Sequence, residues 1–149
     1  GNVNYEPDNH ERMVQVREVK IQSIAKTLPP VEVMGPKQNE VLVVTWGSSY
    51  GPSRSAVESL QAQGQPVSLL VLRHLNPLPE DLGTVLANFR HIFVPEMNRG
   101  QLAHVLRAEF LVDAISFHKV QGRPFQITEI EHRIRALLRK SRPKAEAAD

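Results

Sequence analysis

The sequence predicts an α/β fold in which a mainly parallel sheet lies between two layers of helices, a three-layer architecture. Short, uninterrupted runs of aliphatic and β-branched residues recur along the chain, and such runs are typical of strands that are buried on both faces. Segments with helical spacing of apolar residues alternate with these runs, as a parallel sheet requires. With 149 residues, 41% hydrophobic and 23% charged, the chain suits one domain with its own core.

The N-terminal quarter of the chain predicts one helix. Residues 1–9 are polar and predict an extended lead-in segment. Apolar residues at helical spacing then predict an amphipathic helix from His10 to Leu28, with Asp8 or Asn9 as its N-cap. Pro29 follows directly and ends the helix, and the next ten residues predict a loop.

Four strand and helix pairs follow. The predicted strands are Val41–Thr45, Val67–Leu72, His91–Val94 and Asp113–Phe117. The predicted helices are Ser53–Gln63, 80–89, 101–110 and Thr128–Arg139. Gly64 predicts a C′ residue, and Thr128 with Glu131 predicts a capping box. Residues 10–140 are therefore predicted to form one α/β domain, followed by a disordered basic tail at 141–149.

The composition excludes several classes of function. The chain has no cysteine, so it cannot itself supply a disulfide, a cysteine nucleophile, a zinc–thiolate site or thiolate ligands for an iron–sulfur cluster. The same absence favours the cytoplasm. No apolar run approaches the roughly 20 residues of a membrane span, so we expect no membrane partner. Because the sequence starts at Gly1 without Met, we expect it to be part of a longer polypeptide.

Basic residues are concentrated near the C-terminus. Between Arg133 and Lys144 there are six of them and no acidic residue. No aromatic residues lie among these charges to stack on bases, so the pattern indicates a solvated helix face and no nucleic-acid partner. The six histidines include no HxH or HxxxH spacing, and the single Glu-x-x-His pair, Glu129 with His132, predicts a surface feature. We therefore expect no metal site in this chain.

A glycine-rich turn follows the first predicted core strand. Gly47–Gly51 matches the G-x-S-x-G pattern of a nucleophile elbow, with Ser49 at the nucleophile position. Asp113 followed by His118 or His132 has the order that a serine hydrolase needs, although too few strands precede the turn for that fold. A serine hydrolase is thus one alternative function. A second is a stand-alone anion-binding module, because backbone N–H groups at a helix N-terminus attract anions.

Polar and glycine-containing loops follow the predicted strands, and the carboxyl ends of parallel strands meet at one edge of a sheet. We therefore expect these loops to form one partner-docking or anion-binding surface. The candidate residues are Trp46, Gly47, Ser48, Ser49, Tyr50, Gly51, Arg73, Asn76, Glu96, Asn98, Gln101, Lys119 and Gln121. We expect Glu96→Ala and Trp46→Ala to leave the fold intact and to weaken docking.

Several of these loops resemble one family. The segments are Asn9–Met13, Val43–Pro52 with the pattern WGS-x-YGP, Leu72–Pro79, Val94–Leu102 and Lys119–Phe125. In this order they resemble the α subunits of 2-oxoacid:ferredoxin oxidoreductases, most closely the 2-oxoglutarate type. The resemblance is to the C-terminal domain of that subunit, which is similar to the C-terminal domain of transketolase.

The resemblance implies a structural and assembly role for this chain in an enzyme that oxidatively decarboxylates a 2-oxoacid with CoA, giving acyl-CoA and reduced ferredoxin. It implies that the whole enzyme uses thiamine diphosphate, Mg²⁺ and an iron–sulfur cluster, none of them bound by this chain. The implied partners are the remaining domains of the α subunit, the β subunit and, through the whole enzyme, ferredoxin. No catalytic residue is implied here.

Overall fold

The computed structural model describes residues 3–141, which contain one five-stranded sheet with helices on both faces. The helices are α1 (Pro7–Ser23), α2 (Tyr50–Ala62), α3 (Leu82–Leu86), α4 (Gln101–Phe110) and α5 (Ile127–Ser141). The strands are β1 (Val33–Met34), β2 (Asn39–Thr45), β3 (Val67–Val71), β4 (Phe89–Glu96) and β5 (Ala114–His118). Short 3₁₀ turns lie at Ile24–Thr27 and Gly47–Ser49.

The strand order is β1-β3-β2-β4-β5, and the four long strands are parallel. This confirms the predicted mainly parallel sheet. The short strand β1 pairs antiparallel with β3 at one edge, with Val33 opposite Leu70. The sequence predicts a loop at these residues, because a strand of two residues is too short to show a periodic pattern.

The two faces of β2 belong to two different cores. Val41 and Val43 pack with α2 and α5 on one face, where Leu60 and Ile134 are fully buried. Leu42 and Val44, on the other face, pack with α3 and α4. Alternate residues of a strand point to opposite faces, so one short apolar run supplies both cores. The three-layer prediction is confirmed.

Helix α2 begins at Tyr50, three residues before the predicted start at Ser53, and therefore includes Pro52. Proline is tolerated in the first turn because the backbone N–H that it lacks has no partner within the helix there. The predicted helix end is confirmed. Gly64 has a φ of +71° and its N–H donates to Gln61, while the N–H of Gln65 donates to Leu60, which is a Schellman motif.

Strand β4 is longer than predicted and continues through Pro95 to Glu96. Its pairing with β2 ends at Phe93, two residues before Pro95. Proline has no backbone N–H to donate, and at this position no pairing with β2 requires one. Helix α3 is correspondingly shorter than the predicted helix over 80–89, because β4 already begins at Phe89.

Two predicted helix caps are wrong. Helix α1 begins at Pro7 with Glu6 as its N-cap, so Asp8 lies in the first turn and Asn9 does not cap. Helix α5 begins at Ile127, and Glu129, rather than Glu131, accepts a hydrogen bond from the backbone N–H of Gln126 at 2.8 Å. Both helices begin before the predicted caps, and in α1 the fixed φ of Pro7 suits the first helical position. The spacing of apolar residues, from which the helices are predicted, does not mark the N-cap position.

Ser141 is the last residue of α5, and the rest of the tail predicted at 141–149 lies outside the described residues. The division into a lead-in segment, a domain and a tail stays a prediction. Among residues 3–141, none of the helices has the length and apolarity that a membrane crossing requires.

The packing of α5 on α2 gives the first prediction. Ile134→Ala should lower the free energy of unfolding by about 2–5 kcal/mol, because it leaves a cavity in a fully packed core. Val120→Ala, at a side chain that is 66% exposed, should change it by about 0.5 kcal/mol or less. Urea denaturation followed by circular dichroism measures both. If both variants lowered the free energy of unfolding equally, the assignment of α5 to the layer packed with α2 would be wrong.

Candidate functional site at the carboxyl edge of the sheet

A crevice opens between the carboxyl ends of β2 and β4. The chain leaves β2 through α2 toward β3 on one side and leaves β4 through α4 toward β5 on the other. Because α2 and α4 lie on opposite faces, the two connections diverge at this point. Ligands and partners of open α/β sheets bind at such a switch point.

The crevice has a volume of about 180 Å³ and is formed by two of the predicted loops. Its lining residues are Trp46, Gly47, Ser48, Ser49, Met97, Asn98 and Gln101. The hydroxyl of Ser48 contacts the sulfur of Met97 at 3.6 Å and joins the two walls. We call this the strand-end crevice.

Trp46 separates the strand-end crevice from a larger, open hollow of about 680 Å³ that also contains Tyr50 and Arg73. The indole Nε1 of Trp46 is buried and has no hydrogen-bond partner within residues 3–141. The structure thus brings the loop after β3 to the Trp46 loop, as predicted. Asn76 does not join them; it lines a separate groove between α1 and α4.

Glu96 has a structural role that the sequence analysis missed. Its side chain is fully buried and its carboxylate accepts hydrogen bonds from the N–H groups of Leu102 and Ala103, at 2.8 and 3.1 Å. Asn98 Oδ1 accepts from Gly100 and Gln101, at 2.7 and 3.0 Å. Two side chains therefore satisfy the free N–H groups at the start of α4, where a negative charge is also favoured by the helix dipole.

The prediction that the Glu96 side chain lies on the docking surface is therefore wrong, since its oxygens are consumed inside the domain. Asn98 donates from Nδ2 to the Glu96 carboxylate at 3.1 Å. Gln101 is exposed at the mouth of the strand-end crevice and remains a surface candidate. A sequence signal did exist: an acidic residue at the end of a buried strand, five residues before a helix, suits an N-terminal cap.

Ser49 does not have the environment of a catalytic nucleophile. Its side chain is 3% exposed, and its hydroxyl bonds Thr45 Oγ1 and the carbonyl of Trp46, both at 2.8 Å. The serine hydrolase alternative is therefore not supported. The anion-binding module is not supported either, since the N–H of Tyr50 donates to the Gly47 carbonyl and is not available to an anion.

Lys119 is directed inward. Its Nζ bonds both carboxylate oxygens of Glu129, at 2.9 and 2.8 Å, and the carbonyl of Pro124 at 3.3 Å. Its backbone N–H donates to the carbonyl of Glu96, which joins the loop to the crevice wall. The loop is thereby fixed to the start of α5, and Gln121 stays exposed on it.

The hydrogen bonds from Lys119, and then from the backbone of Gln126, hold the pKa of Glu129 below its ordinary value. Among residues 3–141, no group of three metal-ligating side chains could hold an ion. Glu129 is engaged with Lys119.

Comparison with known proteins assigns the family. The sequence model described as Pyruvate:ferredoxin oxidoreductase core domain II matches residues 39–130. The chain belongs to this family. The matched segment of core domain II runs from the start of β2 into α5 and contains both walls of the strand-end crevice. The resemblance found in the loop motifs is confirmed.

Two relatives of this chain are oxidoreductase subunits that are much longer than the chain itself. The chain is 45% identical over 139 residues to 2-oxoglutarate oxidoreductase subunit KorA of Mycobacterium tuberculosis, covering 93% of this chain and 21% of that one. It is 30% identical over 139 residues to 2-oxoacid:ferredoxin oxidoreductase subunit alpha of Saccharolobus solfataricus, covering 89% and 22%. The chain therefore spans about a fifth of the length of these relatives.

A solved structure has the same fold. It is 2-oxoglutarate:ferredoxin oxidoreductase from Magnetococcus marinus with 2-oxoglutarate, coenzyme A and succinyl-CoA bound. It superposes with a TM-score of 0.84 at 34% identity, over 93% of this chain and 25% of that chain.

The Glu96 cap gives the second prediction. Glu96→Ala leaves two buried N–H groups without an acceptor, so we expect a loss of about 3 kcal/mol in the free energy of unfolding. Glu96→Gln keeps one acceptor oxygen and should lose less than half of that. Urea denaturation of the two variants beside the unchanged chain measures the difference. An Ala variant as stable as the parent would refute the capping role.

The Lys119–Glu129 pair gives the third prediction. Since the pKa of Glu129 is lowered by folding, the pair stabilises the fold above the ordinary glutamate pKa of about 4.3. This contribution disappears as the pH falls through the lowered pKa. Glu129→Gln should therefore flatten the loss of stability below about pH 4.3, measured as the urea midpoint from pH 7 to pH 3. Glu32→Gln, at an exposed carboxylate, is the control and should leave that slope unchanged.

Proposed function

We propose that this chain is a domain of the α subunit of a 2-oxoacid:ferredoxin oxidoreductase of the 2-oxoglutarate type. The enzyme oxidatively decarboxylates the 2-oxoacid, transfers the acyl group to CoA and passes the electrons to ferredoxin. The observation that carries the proposal is the match over residues 39–130, which includes the loops of the strand-end crevice as well as the core. A likeness of fold alone would need only the core.

The cofactors of such an enzyme belong outside this chain. Without cysteine, these residues cannot supply thiolate ligands to an iron–sulfur cluster. We assign thiamine diphosphate, Mg²⁺ and the cluster to the rest of the enzyme, and CoA to the assembled active site. An enzyme that reduces ferredoxin through such a cluster needs a reducing compartment, and we place it in the cytoplasm.

Within the enzyme, this domain acts in assembly. The strand-end crevice and the adjoining Trp46 and Arg73 hollow present a mixed apolar and polar surface at one edge of the sheet. The partners are the remaining domains of the α subunit and the β subunit, and ferredoxin acts through the whole enzyme. The internal bonds of Glu96 and Lys119 fix the loops before docking, which lowers the entropy lost on binding.

The fourth prediction tests this docking surface. Gln101→Arg places a bulky charge at the mouth of the crevice and should weaken assembly with the partner subunits at least tenfold. Gln38→Arg makes the same change on an exposed residue before β2, at the opposite edge of the sheet, and should have no effect. Co-purification of the tagged chain with its partner subunits measures assembly.

The same preparations test the reaction. The parent and the Gln38→Arg protein should reduce ferredoxin only when both 2-oxoglutarate and CoA are present. Assembly without any 2-oxoacid-dependent reduction would refute the proposed reaction, and equal assembly of the two variants would refute the docking role.

A further inference from the structure

Among the described α-helices, α1 alone buries no side chain, although five large apolar residues lie along it, Val16 and Val19 among them. Met13, Val14, Ile21 and Ile24 remain 38–46% exposed. At 100° per residue these positions lie on one side of the helix and the turn that continues it. We call them the α1 stripe.

The opposite side of α1 is mostly polar, with Val19 as an exception, and it lines a groove beside the rest of the domain. Gln15 donates to Glu11 at 3.5 Å, and Gln22 donates to Glu18 at 2.9 Å, each four residues apart. Glu18 and Gln22 line a groove of about 780 Å³ whose far wall is formed by the 75–80 loop and α4. A helix that packed on its own sheet would turn its apolar side inward. Helix α1 has the reverse orientation, with the α1 stripe on the side away from the domain.

Two basic residues accompany the stripe. Arg17 and Lys20 lie on the same side of α1 by helical spacing, and within residues 3–141 neither has an acidic partner at ion-pair distance. A surface that covers the stripe would therefore be apolar with carboxylates at its border.

The relatives indicate what covers this side. The alignment with KorA includes 93% of this chain, so it must include part of α1, whereas the match to core domain II begins only at residue 39. Part of α1 therefore has a counterpart in this relative, although the helix lies outside the residues that match core domain II. Four fifths of that relative lie outside the matched segment, and this is protein surface that the 149 residues do not contain.

We propose that the α1 stripe docks against the rest of the α subunit's own polypeptide, on an apolar surface bordered by carboxylates. The inference rests on the proposed function and adds a contact at residues that do not line the strand-end crevice. The contact also explains how α1 is stabilised. A helix of 17 residues with several β-branched residues is marginal in water, and α1 buries no side chain in this domain.

The absence of cysteine allows a direct test. Ile21→Cys and, separately, Ile24→Cys place a thiol on the stripe, and Gln15→Cys places one on the opposite side of the same helix. In the complete native assembly, each variant is treated with a maleimide and the labelled fraction of this chain is read by intact mass. We expect the stripe thiols to react at least tenfold more slowly than the Gln15→Cys thiol. All three should react at similar rates in urea.

Equal rates in the assembly would overturn the proposal. A slow stripe thiol that appears only after vesicles of anionic phospholipid are added would overturn it too, in favour of a membrane surface. Failure of the stripe variants alone to assemble would support it. Enzyme activity distinguishes failure of the α1 contact from failure of the proposed function. An assembly that reduces ferredoxin, but in which all three thiols are labelled at equal rates, refutes the α1 contact and not the proposed function.

Discussion

Burial of β2 on both faces is the constraint on which the rest of the structure depends. Val41 to Val44 have no solvent exposure, so every backbone polar group of this strand must be paired with a neighbouring strand. β3 and β4 supply those pairs, both parallel to β2. Parallel neighbours need crossover connections, and these connections place α2 and α4 on opposite faces. The strand-end crevice is the consequence, because the two connections leave adjacent strand ends in opposite directions.

Two internal charges organise the edge that this topology creates. Glu96 is held by the start of α4, and Lys119 by the start of α5. A buried charge is tolerated only when its hydrogen bonds are satisfied, and both groups meet this condition with several partners. The loops at the carboxyl edge are therefore fixed by the domain itself. The side chains of Glu96 and Lys119 serve geometry, and the exposed residues beside them are left for a partner.

The meeting of the predicted loops at one edge could be predicted for a physical reason. Topology alone brings the loops after β2, β3 and β4 to one edge, so Trp46, Arg73 and Gln101 could be placed there from the order of strands. The direction of a side chain is not contained in that order. Glu96 and Lys119 turn inward because unsatisfied N–H groups and a carboxylate lie within reach, and those partners are distant or hidden in the sequence. Asn76 belongs to the groove beside α1, since its loop runs past the end of the sheet.

The sequence by itself determined the fold class, the four long strands and the family. Buried parallel strands have a continuous apolar signature, and the loop motifs are specific over several segments. The tertiary structure decided the helix caps, the antiparallel strand β1, the inward side chains and the orientation of α1. Helical spacing places the α1 stripe on one side of the helix, but only the placement of the helix shows that this side faces away from its own core. Local pattern fixes what a segment can bury, and the arrangement of all segments fixes where it is buried.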